Sequence, residues 1–166
     1  TLPREEILAR MRQAHAAGQI AATVVRPGDV YGPRSRPWTV LPVRLIKRNL
    51  FLLPARGAGI FSPVYVDDLV DGLVTAAEDP GSAGQVYTLA GGVGVPCREF
   101  FGHYYRMLGK RGPLCLPTGW AVAAASAAAR ATALVGGTTE INAISMTYFT
   151  RTGTYSIDKA RRLLGY

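Results

Sequence analysis

The sequence predicts an α/β protein with two parts, a parallel-sheet part and a smaller, mainly helical lobe. Short apolar runs at residues 21–25, 63–66 and 86–90 are bounded by glycine and proline. This is the pattern of strands buried on both faces of a parallel sheet. Helical periodicities alternate with these runs in the first half, as a parallel sheet with crossover helices requires. After residue 96 helical patterns dominate. We therefore expect residues 1–90 to form the sheet-bearing part, with an insertion at about 34–60, and residues 91–166 to form the helical lobe.

Pro3 to Gly18 reads as a helix: Pro3 suits the first turn, Glu5 and Glu6 the positive end of the dipole, and Gly18 the stop. Ile7, Leu8, Met11 and Ala14 make its apolar stripe. The run Ala21 to Val25 then enters Arg26-Pro27-Gly28-Asp29-Val30-Tyr31-Gly32-Pro33, where two glycines and two prolines predict a loop without regular structure. In open α/β sheets the ligand crevice lies outside the carboxyl ends of the strands, where this loop would sit. A helix from Thr39 to Arg48 places Leu41, Leu45 and Ile46 inward and Arg44, Lys47 and Arg48 outward. Phe51 to Leu53 and Pro63 to Val66 read as short strands, with a turn at Gly57-Ala58-Gly59.

Asp67-Asp68 opens the next helix, where one carboxylate can cap backbone N–H groups. That helix shows Leu69, Val70, Leu73, Val74 and Ala77 on one face and stops before Pro80. Val86 to Ala90 is a strand, and Gly91 to Gly94 a turn. Cys97 to Leu108 is a helix with Phe100, Phe101, Tyr104, Tyr105 and Leu108 inward. An extended piece at Leu114 to Leu116 and an alanine-rich helix at Thr118 to Val135 follow. Helices at Thr139 to Phe149 and Ile157 to Leu164, the latter capped by Ser156, complete the chain.

The chain has 166 residues, 48% of them hydrophobic and 18% charged, enough for a real core. Its net charge of +8 is uneven: residues 1–50 carry nine Lys/Arg against three acids. Such a bias suits an anionic ligand or an acidic partner segment. Without a basic stripe interleaved with aromatics, nucleic-acid binding is not expected. Cys97 and Cys115 fit neither a metal-ligand spacing nor a disulfide framework, and read as reduced thiols of a cytoplasmic protein. The most apolar stretch, Trp120 to Val135, is interrupted by Arg130 and falls short of the roughly 20 residues of a span, so no membrane span is expected.

No stretch is a self-sufficient active site. Gly91, Gly92 and Gly94 lack the G-x-G-x-x-G spacing and a downstream acid, so they read as a strand-to-helix turn. Asp67 and Asp68 point apart on a starting helix, which disfavours a carboxylate pair. His15 and His103 stand isolated on predicted helices, tied to no nucleophile. No metal site is expected.

Three motifs nonetheless occur in a telling order: Val25-Arg26-Pro27-Gly28-Asp29-Val30-Tyr31-Gly32-Pro33, Pro63-Val64-Tyr65-Val66-Asp67-Asp68-Leu69, and Tyr155 through Tyr166. Together they resemble the second half of extended short-chain dehydrogenases. This is the NAD(P)-dependent epimerase/dehydratase family, including its 3β-hydroxysteroid dehydrogenase-like branch. The resemblance implies the C-terminal part of a Rossmann-type parallel sheet plus a small substrate-binding lobe. Family members open with a Gly-rich loop and carry Tyr-x-x-x-Lys on the helix that corresponds to Pro3–Gly18. The family tyrosine would fall just before residue 1, with Arg4 about where the lysine would be.

The resemblance also implies hydride transfer at a nicotinamide on a secondary alcohol or ketone. This chain would be inactive alone, because its catalytic residues and pyrophosphate loop would lie upstream. NAD or NADP belongs to the complete protein, and tight binding to this chain alone is not expected. By similarity, Pro27, Gly28, Asp29 and Val30 border the cofactor, and Thr39, Pro42, Phe61 and Pro63 face the substrate. Nucleotide-sugar enzymes of the family place a phosphate-gripping arginine where this chain has Phe61, which favours an apolar, steroid-like small-molecule substrate. Two alternatives stay open: a non-catalytic binding or partner-interaction protein, and a fragment of a nucleotide-sugar epimerase or dehydratase. A half Rossmann sheet has an exposed edge, which suits a homodimer or pairing with a missing N-terminal half.

Overall fold

The computed structural model describes residues 3–134, 136 and 143–166. The chain forms two compact units, both discontinuous in sequence: Thr1–Tyr31, Pro63–Gly92 and Tyr155–Tyr166 make the first, Gly32–Ser62 and Val93–Thr154 the second. This grouping differs from the division expected at residue 90, because the last helix joins the sheet-bearing unit. The insertion, expected at about 34–60, belongs with the helical part.

In the first unit, α1 (Arg4–Ala16) precedes β1 (Val24–Pro27) and β2 (Asp29–Tyr31). In the second unit, a π-turn at Arg36–Val40 leads into α2 (Leu41–Lys47), followed by β3 (Leu52–Leu53) and β4 (Ile60–Phe61). The chain returns to the first unit with β5 (Pro63–Tyr65), α3 (Val66–Glu78) and β6 (Val86–Leu89). The second unit resumes with β7 (Val95–Pro96), α4 (Cys97–Met107), β8 (Leu114–Cys115), α5 (Thr118–Leu134) and α6 (Ala143–Tyr148). Finally, α7 (Asp158–Leu164) lies in the first unit. Val135 and the expected helix start at Thr139 lie outside the described residues.

Within the first unit β1 pairs in parallel with β6, and β2 in parallel with β5. The expected loop after Val25 is therefore largely strand. β1 continues through Arg26 and Pro27, and Gly28 is the hinge at which the chain changes partner. The Gly28 N–H donates to Leu89 O at 2.8 Å, and Asp29 is already opposite Pro63. A proline that ends a strand and a glycine that bends it are both compatible with this switch.

The core of this unit is Ala76, Tyr87, Leu89 and Ala160, with Val25, Leu69, Leu164 and Tyr166 packed around it. On α3 the buried side chains differ from expectation. Gly72 and Ala76 face inward, whereas Val70, Leu73 and Val74 are exposed. Gly72 is required by close approach: a Cβ there would lie 2.7 Å from both Leu89 Cδ1 and Tyr166 Cε2. The carboxylates of Asp67 and Asp68 make no cap hydrogen bond, since Tyr65 occupies the N-cap; they sit in the first turn, where the dipole favours negative charge. Ser156 does serve the start of α7, its Oγ accepting from the Asp158 N–H at 3.2 Å.

The second unit holds short pairs, β3 parallel with β8 and β4 antiparallel with β7. Its core is Ile46, Phe51, Leu53, Phe61, Cys97, Phe101 and Tyr105. Phe101 and Tyr105 are buried and Phe100, Tyr104 and Leu108 pack against them, so the predicted inward face of α4 is observed. Ala121, Ala125 and Met146 form a smaller cluster where small residues let α5 and α6 approach. Among the described residues, no helix is long and apolar enough to cross a membrane.

Candidate functional site

The carboxyl ends of the first unit's strands converge on one short region. Pro27 is opposite Leu89, Asp29 opposite Pro63, and Tyr31 opposite Tyr65. Beyond β6 the Gly91 N–H donates to Pro63 O at 2.8 Å, and a Cβ on Gly91 would come 2.5 Å from that oxygen. The structure thus brings Pro27, Gly28, Asp29 and Val30 together with Pro63, at the switch from one strand pair to the other. Asp29 is 2% exposed, while Pro27 is exposed and Gly28 half-buried. A strand end opened by glycine and proline leaves backbone that a flat ring could approach closely.

The start of α3 adds an electrostatic feature that sequence reasoning missed. Tyr31 and Tyr65 meet edge to face with ring centroids 5.5 Å apart. Burial raises the Tyr31 phenol above its ordinary value, reinforced by the Asp68 carboxylate and by Tyr65. The C-terminal Tyr166 is raised in the same way, by burial and then by Asp68. Both phenols thus hold their protons more tightly under the influence of one carboxylate. Asp68, Asp71, Thr75, Arg161 and Tyr166 line an open groove of about 440 Å³ between α3 and α7. The signal available in sequence was the tyrosine two residues ahead of Asp67, together with a tyrosine at the last position.

Thr39, Pro42 and Phe61 belong to the second unit. Thr39 Oγ1 accepts from the Gly32 N–H at 3.1 Å and lies 3.4 Å from the Tyr104 hydroxyl, which itself donates to Trp38 O at 3.0 Å. These bonds fold the segment after Tyr31 back over a π-turn, with Arg34 at φ 66°. Pro42 is buried in α2. Phe61 is expected to face the substrate, and the structure places it in the second unit's core. It is 1% exposed, stacked within 5.0 Å of Trp38, 4.3 Å of Phe100 and 5.5 Å of Phe101 between ring centroids. A ring in the aromatic core carries no information about substrate.

The remaining titratable candidates have structural work. His15 Nδ1 lies 3.2 Å from Ile20 O, with its ring against Gly84; His103 Nδ1 lies 2.8 Å from an Arg106 nitrogen. Both cysteines are free, and burial raises the Cys115 thiol, partly offset by Arg98. Tyr155 and Lys159 share the spacing of a Tyr-x-x-x-Lys pair, which the sequence reading did not notice. Tyr155 precedes α7, however, and Lys159 Nζ sits over the Tyr87 ring, 5.2 Å from its centroid. A catalytic pair of that spacing would stack on one helix face, as these two do not. Among the described residues no three His, Cys, Asp or Glu side chains group as a metal site.

A sequence profile of the NAD dependent epimerase/dehydratase family matches residues 6–90. Among curated proteins, a subunit of Arabidopsis thaliana named NADH dehydrogenase [ubiquinone] 1 alpha subcomplex subunit 9, mitochondrial, is 37% identical over 95 residues, covering 49% of this chain and 22% of that protein. Among solved structures, the UDP-glucose 4-epimerase of Thermotoga maritima superposes with a TM-score of 0.68 at 18% identity, over 98% of this chain and 46% of that one. The dTDP-glucose 4,6-dehydratase of Streptomyces venezuelae, solved with NAD bound, gives 0.63 at 20% identity, over 96% and 42%. The chain thus spans less than half the length of these relatives. The strand-end switch at Gly28, the parallel pairing and the profile match agree: this chain belongs to the NAD-dependent epimerase/dehydratase family.

Proposed function

We propose that this chain is the C-terminal portion of an NAD(P)-binding protein of the family, acting as a non-catalytic subunit of a larger assembly. Residues Pro27 to Val30 would border the nicotinamide, and the second unit would serve contact rather than turnover. One observation carries this reading: the 37% identity over 95 residues to a subunit named for NADH dehydrogenase. It supports a mitochondrial assembly as the protein's setting.

The second reading is an oxidoreductase acting on a secondary alcohol or ketone, steroid-like and cytoplasmic. Support for it is the aromatic surface of the second unit, where Trp38 and Tyr148 stand 5.0 Å apart between ring centroids and remain half-buried. With Phe61 in the core, the case against a nucleotide-sugar substrate loses its main residue. Native electrophoresis of detergent-solubilised mitochondrial membranes, probed with an antibody to this chain, tests the proposal. Comigration with NADH:ubiquinone oxidoreductase activity is expected. A free protein that reduces a sterol-like ketone with NADH or NADPH would overturn it.

A further inference from the structure

The second unit holds the entire positive excess of the protein. Residues 32–62 and 93–154 contain 12 Lys/Arg and two acids, while the first unit contains seven and nine. Part of that charge gathers where three segments meet. Lys110 Nζ donates to Ile46 O at 2.9 Å, Lys47 O at 2.8 Å and Asn49 Oδ1 at 2.7 Å, tying the turn after α4 to the end of α2. Leu114 is opposite Leu52 in the β3–β8 pair, two residues past Leu50. Lys47, Arg48 and Arg111 are exposed there and make no ion pair among the described residues. The same segments carry three large exposed apolar side chains, Leu50 at 60%, Met107 at 79% and Leu114 at 57% exposure.

We propose that this edge of the second unit docks on an anionic lipid surface. Unpaired cations meet the headgroup phosphates, each gaining from the negative surface potential, while isolated apolar tips reach the headgroup–acyl boundary. An acidic protein partner fits less well. Protein interfaces gather apolar area into a central core with charge at the rim, whereas here cations and single exposed apolar residues are interspersed along each segment. The mode is peripheral, since no described helix can span a bilayer. This inference stands on charge and exposure, independently of the assembly proposed above.

Flotation of the 166-residue chain with phosphatidylcholine vesicles, with and without phosphatidylserine, tests it, alongside a polyglutamate peptide as the protein-like competitor. Binding to the phosphatidylserine vesicles that salt reverses is expected. K47A/R48A/R111A should weaken it about 100-fold, from roughly a factor of five per cation. M107S should weaken it at unchanged salt dependence, and R162A in the first unit should leave it unaltered. Equal binding to neutral vesicles, binding to neither, or full binding by the triple variant would overturn the proposal. So would polyglutamate binding lost in the triple variant without any vesicle binding, which would indicate an acidic protein partner.

Discussion

Tyr31 and Tyr65 occupy paired positions on β2 and β5, and their rings meet edge to face at 5.5 Å. The contact fixes the register at the point where the chain leaves the first unit for Gly32, beside the carboxylate that opens α3. An edge-to-face pair adds about 0.5–1.5 kcal/mol beyond area burial. Tyr65→Ala should therefore destabilise the chain by more than removal of an isolated half-buried ring, with Tyr31→Ala non-additive to it in a double-mutant cycle.

The raised phenols give a pH signature. Tyr31 and Tyr166 hold their protons more tightly when folded than when unfolded. Their contribution is thus fully present below the unfolded value of about 10 and is lost as pH rises through the folded values. Thermal melts should show stability falling above about pH 10, with the fall shallower in Y31F and Y166F. A stability that rises with pH in that range would contradict this.

Gly72→Ala should cost about 1–3 kcal/mol, because its Cβ would press on Leu89 and the Tyr166 ring. Urea unfolding of Gly72→Ala with Tyr166→Ala should show the second change costing less in the alanine background. Full additivity would mean that Tyr166 does not pack on α3.

Phe61→Arg should destabilise the second unit by at least about 3 kcal/mol, since it removes a ring from the core and buries a cation there. Circular dichroism and urea denaturation read this directly. A stable Phe61→Arg protein with altered ligand preference would return the residue to the substrate site.

Much of this architecture was legible in the sequence, for physical reasons. Leu89 and Tyr87 lie in an apolar run bounded by breakers, and Phe101 and Tyr105 repeat at helical spacing, so period and punctuation placed them. The outward set Arg44, Lys47 and Arg48 followed from the same periodicity. The misses concern non-local facts. β2 is three residues long between glycines, and its strand character comes from Pro63 and Val64, far away in sequence. On α3 the buried line runs through Gly72, which has no side chain to announce it, so the exposed valines drew the reading instead. Phe61 was placed by alignment with a family arginine, and no one-dimensional register can tell a ring facing a cleft from one facing Phe100. Likewise α7 could not be assigned to the first unit, because Ala160 meets Tyr87 and Leu89 only through folding.

The strand end at Pro27–Val30 is the centre of this account, and hydrogen exchange on the full-length protein tests it most directly. With NADH or NADPH bound, peptides spanning residues 27–30 and 63–64 should exchange more slowly than without it, while α5 at Thr118–Leu134 should be unchanged. Cofactor binding that leaves the exchange of residues 27–30 unaltered would contradict the assignment of this strand end to the nicotinamide.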